Sequence, residues 1–428
     1  MSQSPPPYTR RGWTTLSRTA KQLIAARFLR ATAQGALAVD FTLYLKARGW
    51  SAQDVGLLLL ASGLISAALS LVVGIVSDRV GRRVFLLIYE TGLIIGTTLL
   101  VLVPNVWILV VVAAIFGFGR GANGTSGPFA PAEQAWLAQA IPDQHRSSVF
   151  NFNAGLQFGG MGVGSILAAA LPALMSGASG PRVYILVFVL NLVMAVVNLW
   201  QIWILSEPPR PPRNLNAQHR SKKESTVTKR ENRALALLVG VNMVNAVGVG
   251  LIAPLLPYWF NLKFGVGPTA IGPVYALTFF LTGLFAMMLS HVSDRMGLIR
   301  AIILPRILGV ALLIAIPFVP SFAIAAPLYV ARSIVNRSSM GARQAFGVGL
   351  VRDQRRGLAS SLNAVSWGVA GAIGPAIGGW IIGLGSLVWP FIIAASLQLG
   401  YVILFPMLMG QYDTSRPPHP AEKSSGSS

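Results

Sequence analysis

The chain is 428 residues long, 54% hydrophobic and 11% charged, with a mean hydropathy of +0.62. Soluble globular chains carry roughly 25% charged residues, so this composition excludes an ordinary water-soluble enzyme, and its apolar content excludes disorder. Lys+Arg outnumber Asp+Glu 34 to 13, a net charge of +21; on a soluble protein that excess would point to nucleic acid, so where the charges sit decides the class.

A polar tail, residues 1–21, opens the chain, and its first stretch MSQSPPPYTRRGW has no apolar core before a cleavage site. The first apolar span is therefore expected to be a retained helix and not a removed signal peptide. Apolar stretches long enough to cross a bilayer then recur at 22–45, 54–76, 84–103, 106–137, 151–173, 182–205, 234–260, 269–291, 299–320, 322–346, 359–382 and 386–410. Lipid offers no partner to free backbone groups and no strand-period alternation occurs, so each span is expected to be a helix. The fourth is long, with a kink expected at Pro128 and Pro131. The expected fold is an all-α membrane protein of twelve helices in two six-helix bundles, 22–205 and 234–410, joined by a basic linker, 206–233, and followed by a tail, 411–428.

Basic residues choose the orientation. Arg10, Arg11, Arg18 and Lys21 precede the first span, Arg79, Arg82 and Arg83 follow the second, and the linker holds a run from Arg210 to Arg233. Arg295, Arg300, Arg352, Arg355 and Arg356 fall in loops of the same parity, against Lys46, Arg48, Arg182 and Lys263 on the other side. The positive-inside rule then puts both termini and the linker in the cytoplasm of a cell, or inner, membrane. The excess charge becomes a topology signal, and no nucleic-acid partner is expected.

The two halves repeat each other. Val76-Ser-Asp78-Arg79-Val-Gly81 recurs as Val292-Ser-Asp294-Arg295-Met-Gly297, at a shift of 216 that also maps Gly49 onto Gly265 and Gly56 onto Gly272. At a shift of 210, Ala132-Glu133-Gln134-Ala135-Trp136 matches Ala342-Arg343-Gln344-Ala345-Phe346, and Asp143-Gln-His-Arg146 matches Asp353-Gln-Arg-Arg356. Six spans repeated in parallel is the arrangement of carriers whose halves rock about a central site.

Gly74-Ile-Val-Ser-Asp78-Arg79-Val-Gly81-Arg82-Arg83 resembles the G-x-x-x-D-R-x-G-R-[RK] signature of the major facilitator superfamily, and the resemblance runs over roughly 22–410. In the second copy Ser290 replaces the first glycine and Leu298-Ile299 the basic pair. The resemblance implies a conformational latch at Gly74, Asp78, Arg79, Gly81 and Arg82, with Asp294, Arg295 and Gly297 as its second copy. It also implies a cavity lined by the first, fourth, seventh and tenth helices, and a role for Arg120 in proton coupling. The G-P-x-x-G-G pattern at Gly374-Pro375 lies in the eleventh helix and not the fifth, so it adds little for antiport.

Charges in hydrocarbon are costly and therefore mark function. Arg30, Asp40, Glu90, Arg120, Glu133, Arg332, Arg337 and Arg343 qualify. Arg332, Asn336, Ser339 and Arg343 share one helical face, and Asn242 and Asn245 lie one turn apart. Candidate cavity residues are thus Arg30, Gln34, Asn123, Asn242, Asn245, Arg332, Asn336 and Arg337. Asp40, with Arg120, is the candidate for proton coupling, or else it touches water or pairs with Lys46 or Arg48. Arg30 is about 15 Å along the helix from Asp40 and is not expected to pair with it. Glu133 and Arg343, equivalent and opposite in sign, are the candidate cytoplasmic gate pair; Glu90 is expected to neutralise a loop arginine.

There is no cysteine, no nucleophile–base set, no metal-ligand cluster and no phosphate-binding loop. No enzymatic activity, cofactor or metal is expected. The expected function is secondary transport by alternating access, proton-coupled efflux of small amphipathic or drug-like molecules by a monomer. Transport of an anion bound by central arginines is the alternative, and a lipid flippase or non-transporting sensor the second.

Overall fold

The computed structural model describes residues 16–103, 105–119, 127–141, 146–175, 177–207, 222–288, 298–352 and 356–412. Among them the chain is helical and has no strand. The first half holds α1 (Arg18–Ala47), α2 (Ala52–Val80), α3 (Arg82–Leu102), α4 (Val106–Phe116), α5 (Ala130–Gln139), α6 (Arg146–Leu174) and α7 (Ile185–Trp203). The second holds α8 (Lys222–Gly250), α9 (Leu256–Phe264), α10 (Pro268–Met288), α11 (Leu298–Ala315), α12 (Phe322–Ser338), α13 (Met340–Gly349), α14 (Arg356–Gly383) and α15 (Trp389–Met409). Nine of the described helical stretches are long and apolar enough to cross a membrane. Large apolar side chains such as Ile88, Ile95, Trp200, Leu284 and Met407 stand exposed on the outside, where lipid would cover them.

Three spans expected as single helices are broken. The fourth ends at Gly117, which adopts the left-handed conformation with φ 75°, and Gly119 follows at φ 78°. The chain is also non-helical at 127–129, where the kink at Pro128 was expected, and Pro131 sits in the first turn of α5, where its missing N–H costs nothing. The seventh span passes through a 3-10 turn, Ala253–Leu255, between α8 and α9; the tenth is interrupted at Ser339. At its other end α8 reaches back to Lys222, into the stretch read as linker, because KKESTVTKRENR is rich in good helix formers. Glu231 on this extension takes an ion pair from Arg352 Nε at 2.9 Å.

Small residues set the packing. α1 lies along α6, where an added Cβ on Gly160 or Gly164 would stand 2.5 Å from the Phe28 carbonyl or 1.9 Å from that of Thr32. Gly160 and Gly164 thus form a G-x-x-x-G contact with α1, while Gly159 faces open space. The halves meet along two pairs related by the repeat, α2 with α14 and α6 with α10.

Candidate functional site

The halves are joined tightly at the end of the bundle away from the chain termini, the distal end. Tyr258 on α9 donates to the Trp50 carbonyl at 3.1 Å, and Lys46 at the end of α1 donates to Asn261 while lying 5.5 Å from the Tyr258 ring centre. Lys46 and Arg48 are thereby engaged away from Asp40, since Arg48 lies over Tyr44. Backbones nearly touch where α2 crosses α14: a Cβ on Gly56 would stand 2.3 Å from the Pro375 carbonyl oxygen, and one on Gly379 2.2 Å from that of Ala52.

Below this closure the first half buries a compact charge network. Arg30 binds Glu90 through Nη2 at 2.6 Å and Nε at 3.1 Å, and binds Glu133 through Nη1. Arg27, one turn earlier, lies 3.7 Å from Glu133 and donates to Gln157 at 2.8 Å. Two arginines and two glutamates from α1, α3 and α5 so cancel in charge, as buried ions must. Arg30 and Gln34 also line a small cleft with Tyr89, Phe118 and Asn191. Asp40, nearer the distal end of α1, is different: it is buried, and neither carboxylate oxygen has a partner.

Among the described residues, the buried arginines inside the second bundle have no acid beside them. Arg306 on α11 donates to Asn245 and lies 4.7 Å from the centre of the Tyr401 ring. Arg332 on α12 is buried with Nε and Nη2 unpartnered, and Arg343 on α13 lies over Trp367 at 5.1 Å with Nε unpartnered. Arg337 reaches across the divide, its guanidinium 5.6 Å from Phe158 of the first half and 5.4 Å from Phe279.

Two paired bundles, a symmetric pair of contacts between them and charges sequestered inside form the frame of a rocking carrier, and the sequence matches the family model described as Major Facilitator Superfamily over residues 23–241 and again over 238–428. The chain belongs to the Major Facilitator Superfamily. It is similar to an uncharacterized membrane protein of Saccharomyces cerevisiae, 23% identical over 72% of this chain and 75% of that one. It is also similar to the multidrug resistance protein MdtG of Dickeya zeae, 28% identical over 60% of each chain. Among solved structures, a D-xylose–proton symporter superposes with a TM-score of 0.69 at 14% identity, covering 90% of this chain and 97% of that one, a likeness of fold alone.

Within this major facilitator chain the expected sites fall as follows. Glu133 and Arg343 do not meet; each is engaged inside its own half, Glu133 by Arg30 and Arg27 and Arg343 by Trp367. Glu90 neutralises the intramembrane Arg30 and not a loop arginine. Asn242 binds Asn363 on α14 at 2.8 Å, Asn245 turns towards α11, and Asn336 packs near Gly309 of α11, so all three contact helices of their own bundle.

In the signature loop, Gly81 takes φ 130° between α2 and α3, as only glycine does without strain. Arg82 donates to the Ala135 carbonyl at 2.9 Å, within the first half. Arg120, Asn123, Asp294, Arg295 and Gly297, and the side chains at Gly74, Asp78 and Arg79, lie outside the described residues.

Three participants were not anticipated. Glu207 caps α3, accepting from the backbone N–H groups of Arg82 and Arg83 at 3.1 Å each. Arg27 and Arg306 are not among the intramembrane charges that hydropathy singles out. Their signals were present: Arg27 lies one turn from Arg30, and Arg306 lies 216 residues after Glu90, the shift of the repeat.

Proposed function

We propose that the chain is a proton-coupled carrier that exports small amphipathic molecules across the cell membrane by alternating access, with Asp40 as the group that takes up and releases the proton. One observation carries this reading: every other buried charge described in the first half is paired, whereas Asp40 is buried with both oxygens unpartnered. A carboxylate in that position costs several kcal/mol of desolvation, roughly, and a proton removes the cost. Proton relays in pumps and transporters are built from buried intramembrane carboxylates of this kind.

The likeness to MdtG, whose name is that of a multidrug resistance protein, supports export of drug-like molecules. The distribution of basic loop residues favours termini in the cytoplasm. In that orientation the closed distal end faces outward. Arg120 is retained as a tuning group for Asp40, and the Asp78 loop as the latch of the outward-open state, both on family resemblance.

The test is transport into proteoliposomes under an imposed pH gradient, with internal pH followed by a trapped dye. Substrate-dependent proton movement that disappears with a protonophore supports the reading. Transport of the same substrate at equal rate and extent with and without the gradient contradicts it.

A further inference from the structure

The repeat that relates the two halves also relates their buried polar clusters, with the charges inverted. Glu90 and Arg306 are separated by the shift of 216, Glu133 and Arg343 by the shift of 210, and Asn245 falls within one residue of the position equivalent to Arg30. The contacts correspond as well as the positions. Arg30 binds Glu90, 60 residues on; Asn245 binds Arg306, 61 residues on. In the first half a cation sits between two carboxylates and the set is closed. In the second, two guanidiniums replace the two carboxylates, and the shorter asparagine replaces the cation that joined them.

The open valences of this second cluster are mostly nitrogen donors; beside them stand the unpartnered Tyr401 hydroxyl and Asn242 Oδ1. Arg306 Nε, Arg343 Nε, Arg332 Nε and Nη2 and Asn245 Nδ2 are buried nitrogen donors without an acceptor. Arg306 stands on α11, which packs against both α12, the helix of Arg332, and α13, the helix of Arg343. Between residues 234 and 410 the only acidic residues in the sequence are Asp294 and Asp353, each in a loop between spans. Several like charges taken out of water together are strongly unfavourable unless a counter-charge joins them. Planar guanidiniums bind carboxylate, phosphate and sulfonate oxygens in pairs.

We infer that Arg306, Arg332, Arg343 and Asn245 form an oxyanion-binding site in the second half, the charge-inverted copy of the closed network in the first. It deepens the proposed carrier function, on which its transport role rests: the molecule carried bears an acidic group, and that group completes the cluster. A free inorganic oxyanion has the same chemistry, and the experiment separates the two.

Purified wild-type chain is titrated with dansylglycine, a carboxylate, and with dansylcadaverine, an ammonium on the same fluorophore, by energy transfer from tryptophan. Inorganic phosphate is added as competitor, and melting temperature is recorded in parallel. The expected result is saturable binding of dansylglycine, at least tenfold weaker in Arg306→Gln and Arg343→Gln and partly restored in Arg343→Lys. Without ligand, the glutamine variants melt no lower than wild type, because each removes an uncompensated buried charge.

Displacement of dansylglycine by millimolar phosphate with no transport of the dansyl acid assigns the site to a free oxyanion; transport of the acid assigns it to substrate. Three results overturn the inference: no binding of either oxyanion to wild type, equal binding in the glutamine variants, or glutamine variants that melt well below wild type without ligand. Proton-driven transport of dansylcadaverine unaffected by these substitutions would overturn it while leaving the carrier reading standing. Arginine-dependent binding of dansylglycine without proton-driven transport would do the reverse.

Discussion

Gly56→Ala should push the distal end open. The added Cβ would stand 2.3 Å from the Pro375 carbonyl oxygen, 3.1 Å from the Pro375 carbonyl carbon and 3.2 Å from the Ala376 Cα, all backbone atoms of the opposite half. Ordinary contact begins at 3.4 Å, so α2 and α14 must separate by on the order of 1 Å, and no rotamer change can relieve the clash. Overpacking of this kind costs about 1–3 kcal/mol. The cost applies only while the distal end is closed, so the closed-to-open ratio should fall by roughly 5- to 150-fold.

The native chain has no cysteine. Spin labels on Ala47→Cys and Thr269→Cys, exposed sites at the distal ends of α1 and α10, would therefore report the gap without background. A longer-distance population in Gly56→Ala is the expected result. An unchanged distance distribution, accompanied by a lower melting temperature, would put the cost on the fold in every state and refute the reasoning.

Gly164→Ala is the contrasting case, since its Cβ would meet the Thr32 carbonyl at 1.9 Å inside one half. It should lower the melting temperature and leave the Ala47–Thr269 distance distribution unchanged. Glu90→Gln removes one of two carboxylates that hold buried Arg30 and should cost about 3–5 kcal/mol, read as a lower midpoint in denaturant. The double variant Arg30→Gln/Glu90→Gln should lose less than the sum of the two single losses, because it strands no charge; additivity would mean that the two side chains do not interact.

Hydropathy made the spans legible because lipid imposes it on every residue of a crossing helix, and the repeat made the two-bundle plan legible as well. The breaks were not. A left-handed Gly117, a 3-10 turn at Ala253–Leu255 and an interruption at Ser339 leave hydropathy unaltered, whereas the non-helical turn at Pro128 was marked by the proline itself. Pairing inside the bundles was only half legible. Equivalence of Glu133 with Arg343 is written in the sequence, but opposite charge at equivalent positions did not mean contact. Each residue turns into its own bundle, where Glu133 meets Arg30 and Arg343 meets Trp367. Which face of a helix meets which neighbour depends on rotations that only packing fixes. Asp40 was legible as a costly charge; that it is buried without a partner depends on side-chain packing that no residue pattern states.

The most direct test of the carrier account separates driven transport from exchange in Asp40→Asn. Acid-loaded proteoliposomes would be assayed for accumulation of a dansyl conjugate under a pH gradient, and for exchange of labelled against unlabelled conjugate without one. The account predicts that Asp40→Asn loses gradient-driven accumulation and retains exchange. Accumulation at the wild-type level in Asp40→Asn would contradict it.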